Sequence, residues 1–130
     1  MAPGGGLRGE DYPAEGILDM AHDLLQRADP ATRGLWPRAS ALLARQALEA
    51  GVRRLWERRE LDLRGCPMRA QLICLRTYLE DADLAARTAH AWSALTRACH
   101  HHPYELAPTA AELQGWFVVV AALIRSARDG

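Results

Sequence analysis

Lysine and asparagine do not occur in this chain of 130 residues, so its 16 basic side chains are all arginines, set against 16 aspartates and glutamates. The double absence looks like the codon bias of a GC-rich genome, and no function follows from it. Cysteine is scarce. Cys66, Cys74 and Cys99 are odd in number, widely spaced and without a C-x-x-C pair, which argues against a disulfide framework or a zinc ribbon and fits a reducing compartment. Long apolar runs are missing too. The longest, from Trp116 to Ile124, is about half of the roughly 20 residues that a membrane span needs. The N-terminus lacks the apolar stretch of a signal peptide. A soluble, cytoplasmic protein without membrane association is expected, and no segment alternates like a β-strand.

What is present is helical periodicity. Residues 1–12 are glycine-rich and aperiodic and read as a flexible tail. With 49% hydrophobic residues, residues 13–130 suffice for one domain with a real core. Ile17, Leu18, Ala21, Leu24, Leu25 and Ala28 mark a first amphipathic helix. From Leu35 to Arg59 a longer helix carries Leu42, Leu43, Ala47, Leu48, Val52, Leu55 and Trp56 on more than one stripe, as a central helix does. Pro67 is placed to be the first residue of a short third helix with Met68, Leu72, Leu75 and Leu79. Glu80 to Asp83 supply an acidic N-terminus for a fourth, whose buried stripe is Leu84, Thr88, Ala91, Trp92, Leu95 and Cys99. Thr109 and Glu112 have the spacing of a capping box before a fifth helix bearing Leu113, Trp116, Phe117, Val120 and Ile124. Val118, Val119 and Leu123 leave that last stripe, which implies a central position or a subunit interface. The pattern predicts an all-α, five-helix antiparallel bundle.

The zero net charge conceals a gradient. Residues 33–76 hold ten arginines and four acids, while the segments on either side are net acidic. An anion would therefore sit on the middle third. Arg53, Arg54, Arg58 and Arg59 in "GVRRLWERRELDLRG" read either as a solvated helix face or as phosphate-binding groups.

Three of the five histidines fall in "TRACHHHPYELAPT". Pro103 pushes His102 out of helical geometry, so the fourth helix should end near His101 or His102. His90, Arg97 and His101 then share one face. At a helix C-terminus the dipole favours a protonated imidazole and a nearby guanidinium opposes it, which suits a histidine titrating near neutrality, as a general base requires. The plainer role is capping. Consecutive helical residues point about 100° apart, so His100, His101 and His102 do not share one centre. No metal site and no cofactor is expected, because zinc ligands on a helix come at i, i+3 or i+4.

The phrases "LWPRASALLARQALEAGVRRLWERR" and "AHAWSALTRACHHHPYELAPTAAELQGW" together resemble the HEPN superfamily, small helical bundles with an R-x(4 to 6)-H motif near a helix end. The likeness spans most of residues 33–128, with Arg97 and His102 as the motif. It implies a HEPN-like bundle and, in many members, a metal-independent endoribonuclease of toxin or defence type acting as a homodimer. Under it, Arg97 clamps a phosphate and His102 is base or acid. His101 or His90 assists, and Arg53, Arg54, Arg58 and Arg59 hold RNA. This chain departs from catalytic members at Ala98, where they carry asparagine, aspartate or histidine. The resemblance equally covers non-catalytic nucleotide-binding or partner modules. The toxin reading implies an antitoxin as partner, and the module reading a small nucleotidyltransferase.

Overall fold

The structure is a computed structural model describing residues 13–27, 36–100 and 106–129. Five helices occupy them: α1 (Ala14–Gln26), α2 (Trp36–Arg58), α3 (Met68–Tyr78), α4 (Ala82–Cys99) and α5 (Ala110–Asp129). The described residues contain no strand, as the periodicity predicts. The tail expected over residues 1–12 lies outside them, as do His101 and His102.

α2 is the axis of the bundle: it packs against α1, α4 and α5 and touches α3. Its first half buries Ser40, Ala41, Ala44 and Ala47 completely, whereas Leu42 is exposed and Leu43 half-buried. Leu43 packs against the core from its edge, and only Leu42 of the expected apolar residues stays outside it. Short side chains on the inner face let neighbouring axes approach, since interaxial distance follows side-chain size. Gly51 serves the same end against α5, where a Cβ would meet Ile124 Cγ1 at 3.2 Å.

The contacts at helix ends set directions. Arg38, at the start of α2, reaches the end of α4, and Arg58, at the end of α2, reaches Arg128 at the end of α5. α4 therefore runs against α2, and α5 runs alongside it.

Local chemistry explains where the helices begin and stop. The Thr109–Glu112 capping box forms as its spacing predicts: the Thr109 amide donates to Glu112 at 3.0 Å and the Glu112 amide donates to the Thr109 hydroxyl at 3.1 Å. Asp81 caps α4 by accepting from the Leu84 amide at 3.0 Å. Pro67 is the N-cap of α3 rather than its first helical residue, because its ψ of 152° is extended and its carbonyl accepts from Ala70 and Gln71. α4 stops at Cys99, short of the end expected from Pro103. His100 has turned to φ −87° and ψ 139°, and its amide bonds the Arg97 carbonyl.

Between α2 and α3 the chain folds around one amide. Gln71 is buried; its oxygen accepts from Trp56 Nε1 at 3.0 Å, and its nitrogen donates to the carbonyls of Leu63 and Cys66 at 3.1 and 2.8 Å. A buried amide satisfied at both ends costs little, and it holds the loop against α2.

α5 alone among the described helices has the length and hydropathy to cross a membrane. It sends Leu113, Phe117, Val120, Leu123, Ile124 and Ala127 into the core. Leu123 is fully buried in its own chain, which for this residue favours the central position over the subunit interface. Val118, 63% exposed, occupies the outward face with half-buried Val119.

The end of α2 yields a stability prediction. The Leu61 amide bonds the Trp56 carbonyl and the Glu60 amide the Glu57 carbonyl, with Glu60 at φ 56°. This is a Schellman closure whose left-handed position favours glycine. Glu60→Gly should stabilise the protein by about 0.5–1 kcal/mol in urea unfolding, and a loss of stability would refute this account of the turn.

Candidate functional site

Where α4 ends and α5 begins, an open cleft of about 390 Å³ is lined by Arg38, Ala94, Arg97, Ala98, Glu112 and Trp116 among others. Arg97 reaches it from the last turn of α4, where a cation suits the helix dipole. Arg38 comes from the first turn of α2, where its own helix dipole opposes a cation. The end of α4 resolves that conflict, since Arg38 Nη1 donates to the carbonyls of Ala98 at 3.4 Å and His100 at 2.5 Å. These belong to the carbonyls that a helix end leaves without intrahelical partners.

The cleft thus presents two guanidiniums and the N-terminus of α5, with Glu112 as counter-charge held in its capping box. Such a set suits a phosphate or another small anion. Sequence reasoning singled out Arg97 and missed Arg38. The available signal was a basic residue in the first turn of a long helix, a position that calls for a compensating acceptor elsewhere.

The other candidates fall in different places. His90 is exposed on α4 but stands two turns before Arg97, roughly 10 Å along the axis, and is not part of the cleft wall. His100 is the exposed C-cap of α4. The placements of His101 and His102 lie outside the described residues.

The arginine cluster of α2 is divided between tasks. Arg58 Nη1 donates to the Arg128 carbonyl, and Arg59 Nη2 donates to the Tyr78 carbonyl at 3.0 Å, so both cap other helices. Arg53 borders a cleft of about 490 Å³ beside Glu57, Glu60 and Asp62. There Arg64 bonds Asp62 and holds its carboxyl down at about 2. Arg54 is exposed.

Between α2 and α4 runs a half-buried polar seam. Trp92 Nε1 donates to Glu49 at 3.0 Å, and Arg45 lies 3.9 Å from the same carboxylate, an ion-pair contact too long for a hydrogen bond. Cys99 lies in this seam. Burial pushes its thiol up, Arg45 pulls it down and Glu49 adds to the rise, so the protonated, unreactive form is favoured. The described residues contain no group of three His, Cys, Asp or Glu placed to hold a metal ion.

No family model, curated protein or solved structure matches the chain.

Two outcomes follow. Arg38→Ala should cost about 1–2 kcal/mol, since it removes charge-assisted bonds to two helix-end carbonyls; a change below a few tenths in urea unfolding would show that the cap is not needed. A thiol reagent at pH 8 should label exposed Cys66 well before Cys99, with Cys99 labelling rising only as pH is raised further. Equal rates, read by peptide mass spectrometry, would refute the burial argument.

Proposed function

We propose that this chain is a HEPN-like helical bundle acting as a metal-independent endoribonuclease. The observation that carries the reading is the pairing of Arg97 with Arg38 on one open cleft directly before the histidine triplet. Guanidiniums at that point stabilise the charge that builds on the phosphoryl oxygens during transfer. His102 takes the proton from a ribose 2′-hydroxyl, the 2′-oxygen attacks the adjacent phosphorus, and the 5′-oxygen leaves with a proton from a second acid. The products are a 2′,3′-cyclic phosphate and a 5′-hydroxyl. RNA is the substrate because DNA lacks that nucleophile. The reading places the enzyme in the cytoplasm as a homodimer, with His101 or His90 assisting and an antitoxin as its restraint.

A second reading has its own support. Ala98, at the position where catalytic HEPN members carry a polar side chain, is buried at 9% exposure. A chain with an apolar residue turned inward there suits a non-catalytic module that binds a nucleotide or works beside a small nucleotidyltransferase.

The deciding experiment is incubation with single-stranded RNA in EDTA, followed by analysis of the cut ends. Cleavage with cyclic phosphate ends is expected, falling at least about 100-fold in Arg97→Ala and in His102→Ala with unchanged melting temperature. A dimeric wild-type protein that leaves RNA intact would refute the nuclease and leave the binding module.

A further inference from the structure

The exposed side of α3 has a composition that its packing does not explain. Arg69, Ile73 and Arg76 fall on one stripe at i, i+4 and i+7, all three are exposed, and Ile73 is 68% exposed. The core side of α3 is a different one, formed by Gln71, Leu72 and Leu75. α3 carries no acidic residue. Apart from Glu80, four residues after Arg76 and past the end of the helix, the two outer arginines have no carboxylate at the i, i+4 spacing that a merely solvated helix face uses, and neither is in an ion pair among the described residues.

This stripe borders a groove of about 160 Å³ between α3 and α4, whose far wall is Ala89, Trp92 and Ser93. No acidic residue among the described ones lines it. Trp92 is half-buried, and its indole is fixed by the bond from Nε1 to Glu49, so it offers a preset ring edge to the groove. Ser93 stands one turn before Arg97, about 6 Å along α4. The groove and the Arg97 cleft therefore adjoin on the same helix.

We propose that the α3–α4 groove binds single-stranded RNA on its way to the Arg97 cleft, with Arg69 and Arg76 on successive phosphates and a base against Ile73 and Trp92. The inference rests on the RNA reading above and adds a binding site to it. Positive charge without counter-charge, interleaved with apolar and aromatic surface, is how proteins hold single strands without reading sequence. A groove of about 160 Å³ suits one unstacked base. Arg69 and Arg76 are two turns apart, roughly 10 Å along the axis, and so meet separate phosphates.

The test uses a fluorescent 2′-O-methyl RNA of about 12 nucleotides, which cannot be cleaved through its 2′-oxygen, titrated with the full chain across a range of salt. Arg69→Ala/Arg76→Ala should weaken binding about tenfold and make the slope of log affinity against log salt shallower by about 1.4, or about 0.7 for each phosphate that is no longer neutralised. The Lys/Lys counterpart should retain most of the slope, and an unchanged melting temperature confirms that the fold is intact. If the wild type binds and Arg97→Ala weakens it while the α3 pair changes neither affinity nor slope, the groove assignment falls and the RNA reading survives. Absence of binding by the wild type overturns both. Equally tight binding of duplex DNA, with the same dependence on Arg69 and Arg76, overturns the single-strand assignment.

Discussion

The bundle depends on the polar side chains by which α2 and the residue just after it hold every other helix. Ser40 donates to the Ala21 carbonyl of α1 at 2.9 Å, Arg59 to the last carbonyl of α3, Arg38 to the end of α4 and Arg58 to the end of α5. Three of these four are guanidiniums on the terminal carbonyls of α3, α4 and α5, the groups that a helix leaves without intrahelical partners. Each bond also sets a cation against the negative end of a helix dipole. Hydrophobic burial supplies the larger share of the driving force and is nondirectional. The arginine caps add what burial lacks, a register along the axis for each helix against α2.

That arrangement changes how the charge gradient is understood. The excess of arginine in residues 33–76 looks, as composition, like a surface waiting for a polyanion. Arg38, Arg58 and Arg59 account for much of it and are engaged with backbone carbonyls. Arg64 is matched by Asp62 and Arg45 by Glu49. The charge that remains for a ligand lies on α3, at the end of α4 and on the exposed Arg53 and Arg54 of α2.

The features legible in the sequence were those decided within a few residues. The Thr109–Glu112 box, the acidic start of α4 and the core stripes of α1, α3 and α5 depend on spacings of three or four, and the structure contains them. The features decided by distant partners were not legible. The stop of α4 at Cys99 involves Arg38, some sixty residues away, whereas the sequence offered only Pro103 as a terminator. Leu123 lies off the main stripe of α5, and spacing alone left a central position and a subunit interface both open; α5 presents a wide apolar arc to α1, α2 and α4. Arg97 was found by its place beside the histidines. Its neighbour Arg38 was hidden because its only local mark is a cation in the first turn of a long helix, while the carbonyls it caps lie some sixty residues away.

Arg38 also joins the fold to the candidate chemistry. Both of its carbonyl contacts run through Nη1, and a guanidinium has five N–H donors. Capping α4 and meeting an anion in the cleft therefore draw on different donors of one side chain. A lysine there has three donors on a single nitrogen at the end of a flexible stem, with no rigid fork to divide between the two tasks. In a chain whose basic residues are all arginine, the group that fixes the end of α4 is thus also suited to face a phosphate beside it. The position of Arg97 and the polarity of its cleft are consequently set by the same contact.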